Sequence, residues 1–393
     1  MATSNDFDII EELEHIIKRP GMYIGSTEVE EKELYVYDDE KNQIVPKTIQ
    51  YIQGLDKIYD EIIVNSVDHA VRLAMDKTVN KKDYVSSIKV EINQEEGYIS
   101  VWNDGQAIPV EKVDKKLFKG WLPEMIFSNL RSSTNFRDDE ERLTGGLHGM
   151  GAVLTNIFSK KFTIDIGNAE TGKRYFQKFE NNLQKINKPK IVDYKKGNYV
   201  KVIFYPDFEK FGVNELTDDM VSVMKKRVYD ISATTRWLTM KMGHSIKVSY
   251  NKDLIKVPTY DKYMGLYVND SARVFESITE HWDVGVSLSE DDGYKHVSFV
   301  NGIYTPNGGK HVEYITNQIV DKMYETLTKK NKDINIKKTF IKQHMFIFVR
   351  CNVDKPSFNS QSKETLTTPP SKFKFKAVLS DKFIDKIGTK TGI

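Results

Sequence analysis

Apolar and polar residues recur along this chain with two periods, and each period predicts its own type of element. Helical periodicity covers Leu55–Met75, Asp218–Thr234 and Val312–Thr328, and shorter helices are expected from Pro123 and from Phe383. Alternation or short apolar runs between turn residues predict a hairpin at 31–53 and strands at 88–92, 98–102, 162–166, 175–179, 199–204, 247–250, 254–257, 274–279, 282–287, 297–300 and 345–349. New strands follow the helix Asp218–Thr234, so a domain boundary is expected near 235–240.

The polar residues of the first long helix form a stripe. Glu61, Asn65, Asp68 and Arg72 are spaced four, three and four residues apart, which places them on one helical face. The rest of the helix is rich in Ile and Val and is expected to be buried, and a buried polar stripe needs partners or a ligand. The alternative is a solvated face with incidental charges.

A glycine-rich stretch, 144–156, is the second candidate feature. Glycines stand at 145, 146, 149 and 151, and an apolar run follows at once. Glycines allow positive φ and leave no Cβ between the main chain and a ligand. A helix that begins directly after them offers unpaired N–H groups, which suit phosphate. The alternative is a flexible loop before a buried helix.

Two other turns carry polar residues of interest. The stretch 167–174 nearly matches a phosphate-binding loop, but Arg174 stands where Ser or Thr should hold Mg²⁺, and a strand follows. It therefore predicts a hairpin turn. At the end of the strand 98–102, Asp104 and Gly105 form a common type of turn, in which the acid could also read the edge of a ligand.

Composition limits the class of protein. The chain has 393 residues, 39% of them hydrophobic and 29% charged, which indicates a folded protein long enough for two domains. A net charge of +2 means that any nucleic-acid binding must come from a local patch. The single Cys351 excludes an intramolecular disulfide and a multi-cysteine zinc site. No apolar run reaches membrane-spanning length, so we expect a soluble intracellular protein without a membrane partner.

Together these residues resemble the ATPase region of type IIA DNA topoisomerases over essentially the whole chain. The resemblance rests on eight short pieces in the same order, at residues 23–26, 60–65, 102–105, 123–127, 145–156, 299–302, 308–312 and 361–363. The flanking sequence is closer to eukaryotic, viral and phage enzymes than to bacterial gyrase.

The resemblance implies an α+β fold in two domains. Residues 1–236 would form a two-layer α/β sandwich of the ATP-binding type shared by gyrase, heat-shock chaperones, histidine kinases and mismatch-repair ATPases (GHKL), with an N-terminal strap. Residues 237–393 would form a transducer domain with the ribosomal S5-like fold. The cofactors implied are ATP and Mg²⁺.

The family's catalytic roles carry over to particular positions. Glu61 would be the general base that polarises the attacking water. Asn65 would give an oxygen ligand to Mg²⁺. Lys363 would reach the γ-phosphate from the second domain, with Gln361 supporting it, and Arg72 would lie at the rear of the nucleotide site.

Other positions carry over as nucleotide contacts. Asp104 would accept a hydrogen bond from the exocyclic amine of adenine, with Gly105 and Ile108 beside it. Further contacts are expected from Ile126, Phe127, Ser133, Thr134 and Asn135 and from the lid residues Gly146, Leu147, His148, Gly149, Met150, Gly151 and Ala152. Gly145 would help the lid to hinge.

The resemblance also implies partners. Tyr23 matches the strap that crosses to the partner's nucleotide, so ATP binding would close a homodimer. Lys329, Lys330 and Lys332 coincide with a lysine-rich loop that faces double-stranded DNA in such enzymes. The alternative for this run is a solvated helix end with cations near its negative dipole.

Some positions depart from the family pattern. Ala107 replaces a usual glycine, Ser362 a usual Thr, and Val200 a Thr that often supports adenine. In the lid, Leu147-His148 and Val153 stand where eukaryotic relatives often carry cationic phosphate contacts. We therefore expect Arg72 and Lys363 to carry more of the phosphate charge.

Motifs of the DNA-cleavage and winged-helix domains do not occur in the sequence. The chain is therefore expected not to cut DNA by itself, and the remaining topoisomerase domains would lie on the same or a companion chain. The compartment would be nucleus or cytoplasm, or the host cell for a virus. Two other classes stay open, a chaperone or mismatch-repair ATPase of the same superfamily and a non-enzymatic DNA-binding module.

Overall fold

A computed structural model describes residues 10–132, 141–146, 149–268, 273–290, 293–330 and 336–393, with the backbone alone for Lys330. The helices are α1 Glu12–Lys18, α2 Gln53–Met75, α3 Leu122–Ser128, α4 Gly151–Ile157, α5 Asp218–Thr234, α6 Thr239–Met242, α7 Tyr260–Met264, α8 Lys310–Lys330, α9 Lys338–Gln343 and α10 Asp381–Lys390.

The strands are β1 Glu30–Asp38, β2 Gln43–Tyr51, β3 Ser87–Asn93, β4 Tyr98–Asn103, β5 Lys112–Lys115, β6 Phe118–Trp121, β7 Ser159–Asn168, β8 Lys173–Glu180, β9 Lys185–Ile186, β10 Lys190–Asp193, β11 Tyr199–Pro206, β12 Lys247–Tyr250, β13 Asp253–Leu254, β14 Arg273–Thr279, β15 Trp282–Leu288, β16 Lys295–Val300, β17 Ile303–Tyr304 and β18 Met345–Cys351. The hairpins β1–β2 and β5–β6 stand outside the two larger sheets.

The first large sheet has the order β10-β8-β7-β11-β4-β3-β12-β13, with β9 paired to β8. Helix α2 packs against both α4 and α5, and all three helices contact this sheet. Val and Ile from the strands and from α2 form the core between the layers, including Ile63, Val101 and Ile164, which are all buried. This is the two-layer arrangement expected for the ATP-binding domain.

The second large sheet has the order β14-β15-β18-β16-β17, in which β16 and β18 are parallel. Its own core is centred on the fully buried Trp282, with α8 and α10 packed on the sheet. The loop between β18 and α10 leaves this sheet and extends to the first domain. It carries both Gln361 and Lys363.

The first sheet extends past the predicted boundary at 236/237. Strand β12 pairs in parallel with β3, and β13 pairs with β12, so both belong to the first sheet. The second sheet begins only at Arg273. We therefore propose that the division between the sheets falls after Leu254.

Two sequence-based expectations about local structure have clear outcomes. The stretch 167–174 is the turn between β7 and β8, with Gly172 at φ +64°, as predicted. The prediction of a strand at 254–257 is wrong for residues 255–257, because β13 ends at Leu254. Ile255 and Val257 are buried, which explains the alternation in the sequence, but residues 255–257 belong to no strand.

Candidate active site

A cavity of about 610 Å³ lies between α2, the end of β4, α3, the start of α4 and the loop after β18. The whole polar stripe of α2 lines it. Glu61 and Asp68 are buried at its wall, whereas Asn65 and Arg72 expose their side chains toward it. The stripe is therefore a cavity wall and not a face open to bulk solvent.

Glu61 lies between two lysines. Its Oε1 is 2.5 Å from Nζ of Lys57, one helical turn earlier, and 3.9 Å from Nζ of Lys363. Both lysine side chains are less than one-tenth exposed. Burial alone would lower the pKa of Lys57, but the carboxylates of Glu61, Asp60 and Asp56 outweigh burial, and the net effect raises its pKa.

Lys363 reaches this position from the second domain. Its backbone has φ +60°, which a non-glycine residue adopts only where surroundings hold it, and its N–H donates to the carbonyl of Ser360 at 3.2 Å. Burial lowers the pKa of Lys363, with Glu61 opposing that shift. Gln361, from the same loop, also lines the cavity. Residues from both domains therefore meet at one site.

Gly151, the first residue of α4, lies against Glu61. A Cβ atom at this position would overlap the Oε2 of Glu61, so only glycine allows the helix to begin here. The lid residues Gly149, Met150 and Ala152 line the cavity beside it. The start of α4 therefore places a helix N-terminus next to the carboxylate of α2.

The base of the glycine lid is held by Asp68. Its two carboxylate oxygens accept hydrogen bonds from the N–H groups of Gly145 and Gly146, each at 2.7 Å. Burial raises the pKa of Asp68, although these two N–H groups and Arg72 act in the opposite direction. Gly146 lines the cavity as expected, and the contact of its N–H with phosphate stays a prediction.

The position of Asp104 contradicts its predicted contact with adenine. Its carboxylate accepts hydrogen bonds from the N–H groups of Ser86 and Ser87 at 2.7 and 2.8 Å and from the hydroxyl of Ser86. Asp104 does not line the cavity, and neither does Gly105, which packs behind it against Val85 at φ +90°. Asp104 directly follows the last residue of β4, and its carboxylate lies against Ser86 and Ser87 instead of the cavity.

Asn103 takes the place that was expected for Asp104. Its side chain is buried and lines the cavity, and its Nδ2 donates to the main-chain carbonyl of Asp104 at 2.8 Å. Because Nδ2 is the donor of this bond, the amide oxygen, Oδ1, is the acceptor end of the side chain. Val101 also lines the cavity. Because every second residue of a strand faces the same side, the alternation of β4 would have identified Asn103 from the sequence.

Sequence reasoning also missed Lys57 and His69. Lys57 stands four residues before Glu61, the spacing that brings side chains together on a helix. His69 lines the cavity and its Nε2 lies 2.7 Å from the carbonyl oxygen of Gln106. Burial, together with Arg72, lowers the pKa of His69 to about 4, so the ring is neutral at pH 7.

The remaining predicted residues fall into three groups. Ile108, Ile126 and Phe127 line the cavity as expected. Tyr23 lies outside this cavity, with its hydroxyl 2.9 Å from Nδ1 of His15, and Lys329 is exposed near the end of α8. The predicted positions outside the described residues are Ser133, Thr134, Asn135, Leu147, His148, Lys332 and the side chain of Lys330.

Two family models match the chain. The model described as histidine kinase-, DNA gyrase B-, and HSP90-like ATPase matches residues 51–184, and the model described as DNA gyrase B matches residues 246–393. The first match contains α2, the glycine lid and the strands β3, β4, β7 and β8 of the first sheet, and the second contains the second sheet and the loop of Lys363. Fold and site thus define a GHKL-type ATPase domain joined to a gyrase B-type domain, one loop of which lines the same cavity.

Similar proteins and solved structures show which family within this class the chain resembles. DNA topoisomerase 2 of Candida glabrata is 40% identical over 406 aligned positions, which cover 98% of this chain and 27% of that protein. DNA topoisomerase 2 of Acanthamoeba polyphaga mimivirus is 39% identical, with 97% of this chain and 29% of that protein covered.

The solved ATPase region of Saccharomyces cerevisiae topoisomerase II bound to ICRF-187 superposes with a TM-score of 0.88 at 39% identity, covering 98% of this chain and 96% of that one. The ATPase and transducer domains of DNA topoisomerase II from Balamuthia mandrillaris give a TM-score of 0.90 at 32% identity, with 99% and 96% covered. The chain belongs to the type II DNA topoisomerase family and corresponds to its ATPase region.

Family membership sets aside the chaperone, mismatch-repair and non-enzymatic alternatives. The chain spans about a quarter of the length of the curated relatives it matches. Within the described ranges, no helix combines the length and apolar composition needed to cross a bilayer.

Proposed function

We propose that this chain binds ATP with Mg²⁺, hydrolyses it, and acts as the ATP-operated gate of a type II DNA topoisomerase. The observation that carries the proposal is the position of Glu61, whose carboxylate lies in the cavity between Lys57 and Lys363 and against the first residue of the lid helix. Phosphoryl transfer needs such an arrangement, in which one group orients the nucleophile and cations balance the charge of the transferred group.

In this proposal Glu61 orients the attacking water and accepts its proton. Both lysines approach Oε1, whereas Oε2 faces Gly151, so the carboxylate is held in one orientation beneath the lid. The ion pair with Lys57 favours the ionised form of Glu61, which is the form that accepts a proton.

The residues present fit a magnesium ion that is shared with phosphate. Asn65 lies one turn beyond Glu61 and exposes its amide to the cavity, so its oxygen would hold the ion. The described residues contain no group of three His, Cys, Asp or Glu that could hold a metal by itself. Mg²⁺ commonly uses one or two protein oxygens together with phosphate and water, and it would neutralise phosphate charge here.

The nucleotide would lie along the cavity, whose volume is in the range of ordinary ligand sites. Asn103 would accept a hydrogen bond from the adenine amine, and the base would pack on Ile108, Ile126 and Phe127. At the phosphate end, N–H groups from the start of α4 would act together with two cations. Those cations are Arg72 and Lys363, and Lys363 would contact the γ-phosphate, the group that distinguishes ATP from ADP.

The activity of the whole enzyme is part of the proposal. ATP would close a homodimer in which Tyr23 approaches the partner's nucleotide, and Lys329, Lys330 and Lys332 would contact the captured DNA duplex. A non-hydrolysable ATP analogue should convert the chain to a dimer by mass in solution, and Lys329→Glu with Lys330→Glu should abolish stimulation of ATP turnover by DNA. A monomer with the analogue, or full stimulation of the variant, would contradict these assignments.

The ATPase proposal is tested by steady-state turnover. Glu61→Gln removes the proton acceptor but keeps size and most contacts, so kcat should fall by about 100-fold or more with little change in ATP binding. The matched control is Asp193→Asn, an exposed carboxylate at the edge of the first sheet, which should turn over ATP like the wild type. Normal turnover by Glu61→Gln would show that the base is misassigned.

A further inference from the structure

The turn Asn301-Gly302, between β16 and β17, has no role in the site described so far. Both residues have positive φ, +52° and +76°, as a two-residue Asn-Gly hairpin requires. A turn of this kind is usually exposed, because Asn and Gly occur there for the positive φ that they tolerate and not for contacts of their side chains. Here Asn301 is only 2% exposed, and its side chain makes specific contacts.

The side chain of Asn301 bonds to two distant segments. Its Nδ2 donates to the carbonyl of Val353 at 2.9 Å and to the carbonyl of Thr144 at 3.4 Å, and its Oδ1 accepts from the N–H of Val353 at 2.9 Å. Thr144 is the residue before the first lid glycine, and Val353 begins the loop that carries Lys363. One buried amide therefore joins the base of the lid to the base of the Lys363 loop.

The same two segments also contact each other directly. The N–H of Arg142 donates to the carboxylate of Asp354 at 2.9 Å, and the N–H of Lys355 donates to the carbonyl of Arg142 at 3.2 Å. The hairpin touches the lid as well, because a Cβ at Gly145 would come within 2.8 Å of the side chain of Ile303. The lid base and the start of the loop thus lie side by side, with the hairpin packed against both.

The turn is connected to the catalytic helix on its other side. The carbonyl of Gly302 accepts from Nη2 of Arg227 at 2.8 Å, and Nε of Arg227 donates to Asp60 at 2.6 Å. Asp60 precedes Glu61 on α2. The turn is therefore fixed relative to the proposed general base, while its Asn side chain holds the two segments that lead to the lid and to Lys363.

We propose that Asn301 is a positioning residue that couples the ATP lid to the loop carrying Lys363. Because its amide bonds to both segments, a displacement of residues 141–145 displaces residues 353–355 in the same direction, and closure of the lid brings Lys363 into register with the γ-phosphate. This inference rests on the proposed ATPase function. In this inference, the hairpin of the second domain makes closure of the lid and contact of Lys363 with the γ-phosphate occur together.

The variant that tests the coupling is Asn301→Gly, which accepts the positive φ of the turn and removes only the side chain. Asn352→Ala is the matched control. Asn352 is also 2% exposed and adjacent to Val353, but its side chain accepts from Arg350 within the second domain and does not contact the lid. Both variants therefore lose a buried side-chain amide, but only Asn301→Gly loses the bond to the base of the lid.

Two measurements on the full chain decide the matter. Amide hydrogen exchange without nucleotide should rise in Asn301→Gly at both 141–145 and 353–355, whereas Asn352→Ala should leave 141–145 unchanged. By calorimetric titration, ATP affinity should fall about fivefold or more in Asn301→Gly while ADP affinity stays as in the wild type, since only ATP requires Lys363. The control should keep the wild-type ratio of ATP to ADP affinity.

The inference is overturned if exchange at 141–145 is unaffected by Asn301→Gly, or if ATP and ADP affinities fall equally. Should Asn301→Gly fail to fold, Asn301→Asp retains the acceptor for Val353 and loses both donated bonds, and the same two measurements apply. Failure of the wild type to bind ATP would instead contradict the proposed function, and the exchange experiment would still test the coupling.

Discussion

At the level of single residues, Asn103 and Asp104 are adjacent polar side chains with different surroundings. Asn103, the last residue of β4, lines the cavity with Val101, whereas Asp104 accepts hydrogen bonds from the N–H groups of Ser86 and Ser87 and does not line it. We therefore propose a ligand-binding role for Asn103 and a structural role for Asp104.

Substitution at the two positions should separate these roles. Asn103→Ala should lower ATP affinity by about tenfold, because a buried acceptor for adenine is lost. Asp104→Ala should leave ATP affinity near the wild type but lower the melting temperature, because the N–H groups of Ser86 and Ser87 lose their acceptor. Titration calorimetry and thermal unfolding of both variants check this, and a loss of ATP affinity confined to Asp104→Ala would reverse the assignment.

At the level of elements, α2 carries most of the site on successive turns. Lys57, Glu61, Asn65, Asp68 and Arg72 share one face, so a single helix sets the distances between the proposed general base, the proposed metal ligand, the lid anchor and the proposed rear cation. The element was predictable, because its periodicity and stripe are local in sequence. The bonds of Asp68 to the lid were not, because they join residues far apart in the chain.

The pair Lys57–Glu61 predicts a dependence on pH. Lys57→Met removes a buried cation beside a buried carboxylate, which favours the protonated form of Glu61. The acidic limb of the kcat–pH profile should therefore move to higher pH, and activity should recover as pH rises. Lys57→Arg retains the cation and should keep the wild-type limb. Coincident acidic limbs for Lys57→Met and the wild type would contradict a role for this pair in holding Glu61 ionised.

Other elements show where sequence patterns lose information. The helix Asp218–Thr234 matches its prediction at both ends, since its N-cap Thr217 and its periodicity are local signals. Strand β12 was predicted at the observed residues but assigned to the second domain. Its partner, β3, lies in a distant segment, and hydrophobic alternation identifies a strand without identifying its neighbour.

At the level of the whole molecule, the proposed nucleotide site belongs to neither domain alone. The first domain supplies Glu61, Asn65 and the lid, and the second supplies Lys363 and Gln361 through a loop that contacts the lid at its base. Composition and length indicated two domains but not this shared site. The resemblance to a known family implied a site shared by the two domains. In the structure, Nζ of Lys363 from the second domain lies 3.9 Å from Oε1 of Glu61 in the first.

The proposed contact between Lys363 and the γ-phosphate is tested most directly by the affinity of Lys363→Ala for ATP and for ADP. ATP affinity should fall about tenfold or more, because a charge-assisted contact is lost, and turnover should slow, whereas ADP affinity should stay unchanged. Lys372→Ala, an exposed lysine farther along the same connection, serves as the control. An unchanged ATP affinity, or an equal fall for both nucleotides, would contradict the claim.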